Sequence, residues 1–281
     1  MHSTAAYFDT VEAHYGHNDL ETTILNALVA AGKDPDRLKA EDLAPIDQFH
    51  VRGLKATSQL AMDIKLDRDM QVLDLGSGLG GASRYLAKEF GCSVVGLDLN
   101  AQYCQVATTL TRRLGLDSRV TFIQGNALEI PFPDGSFDLV WTQHMTMNIP
   151  DKSSFYREVY RVLKPGGRLA MYDILAGPGG EVLFPVPWAR DTATSFLVAS
   201  QVLVDTITET GFDIHIWRDV TEAARLWTRA TQERLYLNPG LLGLQLLLGT
   251  DFRKMVHNQF LNLQQERIAL VEAVVRRPLL A

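Results

Sequence analysis

The chain reads as an α/β protein built on a mostly parallel sheet with helices on both faces. Three observations carry this reading. Strand-length apolar runs alternate with helix-length segments from about Met70 onward, the runs are continuously apolar, and several of the helices close on a glycine. A continuously apolar strand suits a sheet covered on both faces, and strand–helix alternation suits parallel crossovers.

Before Met70, Leu20, Ile24, Leu25, Leu28 and Val29 recur at helical spacing, and Gly32 ends that helix. A second helix is expected over 54–64. Strands are expected at 71–75, 93–98, 120–123, 137–141, 167–172 and 213–217. The intervening helices fall at 83–90, 102–114, 153–163 and 201–210, with Gly91, Gly115 and Gly211 closing the first, second and fourth. Beyond Asp219 the pattern turns helical, over 221–235 and again from Leu241 to about Glu266, with a turn at Asn238-Pro239-Gly240 between them. Residues 268–275 read as a last strand or as helix. These segments divide the chain into an N-terminal helical cover, 1–65, and a core domain, 66–281, with a helical insertion at about 221–266.

A chain of 281 residues with 46% hydrophobic composition is long enough to bury a full core. The net charge of −6 and the lack of a basic stripe argue against a nucleic-acid partner, because phosphate neutralisation drives such binding. The 2 cysteines, Cys92 and Cys104, make no disulfide framework, and the histidines do not cluster with carboxylates at metal-ligand spacing, so no metal is expected. The N-terminus lacks a signal-peptide pattern, and no apolar run is long enough to span a bilayer. A cytoplasmic protein that does not enter a membrane is expected.

The densest motif is Val72-Leu73-Asp74-Leu75-Gly76-Ser77-Gly78-Leu79-Gly80-Gly81, a strand running into glycines and then a helix. Glycines there let the backbone turn tightly and approach a ligand. Asp98 ends the next strand, 22 residues beyond Gly76, where a carboxylate accepts from both hydroxyls of a ribose. Gly76, Gly78 and Gly81 alone suit a nicotinamide dinucleotide equally well. Asp74, two residues before the glycines, is placed to face a cationic or amino-acid group. Phe137-Asp138-Leu139-Val140 and Lys164-Pro165-Gly166-Gly167 add a later acidic strand and a turn.

This order of motifs, with Val95 to Asp98 and Gly125-Asn126-Ala127, resembles the class I S-adenosylmethionine (SAM)-dependent methyltransferases. The similarity is to the small-molecule branch with ubiquinone-type C-methyltransferases and sarcosine/dimethylglycine N-methyltransferases, over roughly 47–217. The resemblance implies a Rossmann-like sheet of seven strands and SAM as cofactor. It implies that Asp74, Gly76, Ser77 and Gly78 hold the methionine part, that Asp98 holds the ribose, and that Leu99, Asn126 and Ala127 meet the adenine. Gln143 would lie near the methionine amino group. Relatives often carry Asp at the position of Asn126, whose carbonyl oxygen still accepts from an amino group. Asp138 and Gly166 are expected to be structural, and Lys164 to complement a helix end.

Methyl transfer needs alignment, exclusion of water and, for a hydroxyl, a base. His144, in the loop after the fourth strand, is the candidate base, and His50, in Asp47-Gln48-Phe49-His50-Val51-Arg52-Gly53, is the second catalytic candidate. Phe49 belongs to the same closing segment. Trp188 offers an aromatic wall, and Arg190 a partner for an acceptor carboxylate. Tyr7, Tyr15 and His17 are further lid candidates. The expected function is transfer of methyl from SAM to an N, O or C nucleophile of a small metabolite, with a homodimer implied by family habit. The rivals are a macromolecule methyltransferase, a nicotinamide-dependent oxidoreductase and a non-catalytic SAM-binding protein.

Overall fold

Strand β1 (Gln71–Leu75) lies between β2 (Ser93–Asp98) and β4 (Phe137–Gln143), parallel to both. The structure, a computed structural model, describes residues 19–237 and 243–279. The sheet continues through β3 (Val120–Gln124), β5 (Leu163–Ala176), β6 (Asp213–Asp219) and β7 (Ile268–Arg276). Its 7 strands run in the order β3-β2-β1-β4-β5-β7-β6. Only β7 is antiparallel to its neighbours β5 and β6. The fold is therefore the expected Rossmann-like sheet, and residues 268–275 are strand.

The chain steps outward from β1 through β2 to β3, then crosses back to β4. That reversal is a topological switch point, and it places a crevice beyond the carboxyl ends of β1 and β4. The antiparallel β7 has a further consequence. The carboxyl end of β5 pairs with the start of β7, Ala176 against Ile268. Whatever connects β6 to β7 must leave and return at the carboxyl edge of the sheet, beside the crevice.

That connection holds the helices α8 (Thr221–Leu237), α9 (Gln245–Leu248) and α10 (Phe252–Gln264). The single long helix expected from Leu241 is broken at Gly249, which takes φ +65°. The turn Asn238-Pro239-Gly240 lies outside the described residues.

Three helices precede the sheet, α1 (Leu20–Ala30), α2 (Ala40–Asp47) and α3 (Leu54–Met62). The core helices are α4 (Gly81–Phe90), α5 (Ala101–Arg113), α6 (Lys152–Val162) and α7 (Ser200–Glu209). Leu20, Ile24 and Leu28 of α1 and Leu43 and Ile46 of α2 form one buried cluster with Val106 and Leu110 of α5. Helix α2 has no counterpart in the periodicity reading; it is short and contains Pro45. Tertiary packing of Leu43 and Ile46, both fully buried, sustains it. Strand β5 begins at Leu163, earlier than expected. Lys164 pairs with Asp138 across to β4 at 2.8 Å, so it serves the sheet rather than a helix end.

Candidate active site

The glycine turn after β1 is shaped by what surrounds it. Gly76 takes φ +69°, and a Cβ there would fall 2.5 Å from Met145 Cγ. Gly78 takes φ +52°, and a Cβ there would meet only open space. The first glycine is thus required by packing, and the second leaves backbone facing a cavity. Asp98, at the end of β2, joins the two loops: its Oδ2 accepts the Gly78 N–H at 2.8 Å and its Oδ1 the Asn100 N–H at 2.9 Å. Each carboxylate oxygen keeps a lone pair for a further donor. Asn100 in turn caps α5 by accepting the Tyr103 N–H.

Asp74 is buried within β1 and accepts the Ser83 hydroxyl proton at 2.5 Å. Burial pushes its carboxyl up to about 7, with the Ser83 bond opposing and the Asp98 charge adding. Burial also raises the pKa of Asp98. Two carboxyls strained toward neutrality at one end of a cavity favour a ligand carrying positive charge and hydroxyl donors. Ser77 Oγ, buried beside them, has no partner among the described residues.

Beyond β4 lies a second group. Gln143 Oε1 accepts from Trp141 Nε1 at 3.0 Å and lies 3.1 Å from the Thr57 hydroxyl, while its Nε2 is buried without a partner among the described residues. His50 Nε2 sits 3.1 Å from both Gln48 Oε1 and Thr57 Oγ1. His144 takes φ +49°, an uncommon conformation for a residue with a Cβ, and its N–H donates to the Tyr172 carbonyl at 2.8 Å. Its ring lies 4.7 Å from that of Tyr172 and 5.9 Å from that of His50, and its Nε2 has no partner among the described residues. Burial holds His144 well below its ordinary pKa, with His50 adding to the shift, and brings His50 itself to about 4. Both rings are neutral at neutral pH, so each keeps one nitrogen lone pair.

One cavity, about 1680 Å³ counted to its solvent-open mouth, joins these groups. Asp74, Gly76, Ser77, Gly78, Asp98 and Leu99 line it at one end of the sequence of motifs, with Asn126 and Ala127 from the loop after β3. Gln143, His144, His50, Phe49 and Trp188 also line it. Asn126 Oδ1 accepts the Leu128 N–H, which leaves one lone pair on that oxygen. Trp188 is 2% exposed and donates through Nε1 to Ser195 Oγ.

Arg190 is the exception. It does not line the cavity, and its guanidinium pairs with Asp251 at the protein surface. The expectation that it meets an acceptor carboxylate is corrected: the partner is an internal one, 61 residues away in the chain. Tyr7, Tyr15 and His17 lie outside the described residues.

Sequence reasoning did not single out Trp227, Phe252 or Gln259, which reach the cavity from α8 and α10. It also passed over Lys152. The ammonium group of this buried lysine donates to the carbonyls of Thr146 and Ile149, both at 2.6 Å, and of Phe196 at 2.9 Å. It thereby fixes the loop that carries His144. Among the described residues no group of three His, Cys, Asp or Glu side chains is placed to hold a metal ion.

Residues 73–171 match the family described as "Methyltransferase domain". This part of the chain is thus similar to methyltransferase domains. The match runs from β1 into β5 and so takes in the glycine turn, Asp98 and His144.

Curated proteins match over part of the chain. The Methyltransferase GfsG of Streptomyces halstedii is 36% identical over 134 residues, 48% of each chain. The sarcosine/dimethylglycine N-methyltransferase of Halorhodospira halochloris is 31% identical over 166 residues, 59% of this chain and 58% of that one. The chain thus spans about half the length of these two relatives. A solved geranyl diphosphate methyltransferase shares the fold with a TM-score of 0.71 at 16% identity, over 97% of this chain and 99% of that one. Among the described residues no helix is long and apolar enough to cross a membrane.

Proposed function

We propose that this protein transfers a methyl group from SAM to a nucleophile on a small molecule. The observation that carries the reading is the Asp98–Gly78 closure, which opens onto a cavity that His144 also lines. The residues present fit the cofactor: the backbone at Gly78 faces open space, Asp98 keeps lone pairs for ribose hydroxyls, and Asp74 is a carboxyl whose ionisation a cationic amino group would favour. When bound, SAM supplies an electrophilic methyl group. Asp74, Gly76, Ser77 and Gly78 hold the amino-acid end, the free Gln143 Nε2 donates nearby, and Leu99, Asn126 and Ala127 border the adenine.

The protein's own part in the reaction is to place the nucleophile, exclude water and accept a proton. His144 Nε2 takes the proton from a hydroxyl or amine acceptor, and His50 stands beside it as a neutral ring. The helices within 1–65 and the insertion at about 221–266 act as covers over the core domain. Trp188 and Phe49 supply aromatic walls.

The same reading places the protein in a reducing, cytoplasmic setting, supported by free and buried Cys92 and Cys104. The net charge of −6 supports an acceptor other than nucleic acid. A homodimer, as in the family resembled, is part of the proposal and is measured by analytical ultracentrifugation.

The test is incubation with SAM carrying an isotopically labelled methyl group and a cell extract separated into metabolite, protein and nucleic-acid fractions. Label is expected in the metabolite fraction, where its mass identifies the acceptor. Label confined to protein or nucleic acid would replace the small-molecule reading with a macromolecular one. Binding of SAM without label transfer to any fraction would favour a non-catalytic binding protein.

A further inference from the structure

The cavity wall is unusual in what it lacks. Its carboxyl and imidazole residues among the described ones are Asp47, Asp74, Asp98, His50 and His144, with no lysine or arginine. Residues 1–18 and 238–242 contain no lysine or arginine either. Asp47 is tied to Arg84 at 2.8 Å, and Asp74 and Asp98 belong to the cofactor end. Both histidines are neutral. The rest of the wall is dominated by large apolar side chains: Phe49 from the N-terminal cover, Met147 and Trp188 from the core, and Trp227, Phe252 and Val256 from the insertion.

A carboxylate, phosphate or ammonium group seated among these side chains, away from the cofactor end, would lose its hydration with no opposite charge beside it. Hydrocarbon or aromatic surface gains by leaving water there. One polar side chain from the insertion stands out. Gln259 of α10 is 6% exposed, lines the cavity, and makes no hydrogen bond among the described residues. An amide both donates and accepts without favouring either sign of charge.

We infer that the acceptor is an uncharged molecule with a mainly hydrocarbon or aromatic skeleton, that Gln259 binds a neutral hydroxyl or carbonyl substituent on it, and that phosphorylated, carboxylated and zwitterionic acceptors are rejected. This rests on the methyl-transfer reading above for the word acceptor. The chemistry of the wall stands independently of that reading.

The experiment is calorimetric titration of the full chain, loaded with S-adenosylhomocysteine (SAH), at pH 7.5. The probes are 2-naphthol, 2-naphthoate, 2-naphthyl phosphate and 2-naphthylmethylammonium, which share one ring system and differ in charge. The expected result is a Kd for 2-naphthol at least about tenfold below that of both anions and of the ammonium probe. Gln259→Leu is expected to weaken 2-naphthol several-fold and leave naphthalene unchanged. An anion or the ammonium probe binding as tightly as 2-naphthol overturns the inference, as does failure of every probe to bind. Equal loss of naphthol and naphthalene in Gln259→Leu removes that residue's role. SAH is titrated separately. If SAH fails to bind, the methyl-transfer reading falls, while the order of the four probes on the unloaded chain still decides the character of the wall.

Discussion

Asp98 accepts the Gly78 N–H at 2.8 Å, so the carboxylate assigned to the ribose also braces the turn assigned to the amino-acid end. It accepts from Asn100 as well, at 2.9 Å. Asp98→Ala therefore removes a charged acceptor from the ligand and leaves two backbone donors without a partner. The expected loss of SAH affinity is about 1.5–3 kcal/mol, or roughly 10- to 150-fold in Kd, together with a lower Tm. Calorimetry with SAH reads the first effect and thermal unfolding of the free protein the second. An unchanged Kd in Asp98→Ala would take the ribose away from this residue.

Asp74 makes ligand binding depend on pH. Its pKa of about 7 in the folded chain lies above the ordinary 3.8, chiefly through burial. The folded chain then holds a proton that the unfolded chain has released, so this group's contribution to stability is present at low pH and is lost as pH rises through about 7. If Asp74 pairs with the cationic amino group of SAH as proposed, binding requires the ionised carboxylate and runs the opposite way. SAH affinity is expected to fall roughly tenfold between pH 8 and pH 6. Asp74→Asn is expected to bind weakly with a flat dependence over that range. A wild-type Kd that stays level would show that Asp74 does not pair with the ligand.

The end of the site proposed for the cofactor is legible in the sequence because its determinants are local. A strand, a glycine turn and a helix follow one another at 71–90, and Asp98 ends the next strand, so spacing alone brings them to one edge of the sheet. The acceptor end was not legible in the same way. Trp227, Phe252 and Gln259 reach the cavity because β7 runs antiparallel and returns the insertion to the carboxyl edge, a consequence of sheet order that periodicity does not encode. Arg190 illustrates the converse. Its neighbours in sequence suggested a binding loop, but its charge is taken by Asp251, which only the folded insertion brings near. Helix α2 was hidden by Pro45 and by its length, since its stability comes from packing against α1 and α5.

His144 tests the chemistry apart from cofactor binding. His144→Asn is the suitable variant, because asparagine tolerates the φ of +49° at this position and carries no basic nitrogen. Turnover on the acceptor identified by label transfer is expected to fall about 10²- to 10⁴-fold, with SAH affinity within about twofold of wild type. Because burial keeps the imidazole well below its ordinary pKa, wild-type turnover measured at saturating SAM should stay level as pH falls from 8 to 6. Full turnover in His144→Asn would exclude the residue as base and point to an acceptor that needs none.

The segment that carries His50 is anchored by a buried ion pair. Arg52 Nη1 meets Glu272 Oε1 at 2.7 Å with side-chain exposures of 5% and 2%, joining the loop before α3 to β7. Glu272 Oε2 also pairs with Arg218, which extends to Asp63. Glu272→Gln leaves the Arg52 guanidinium buried without its counter-charge, and a destabilisation of about 3–5 kcal/mol is expected by urea unfolding. Removing both partners, in Arg52→Met/Glu272→Gln, relieves that unpaired charge and should recover much of the loss. Arg218 keeps Asp63 in either variant, so the difference between single and double isolates the buried charge. A double variant as unstable as Glu272→Gln would instead assign the cost to packing around β7, and Arg52 would then hold the His50 segment through its alkyl chain rather than its charge.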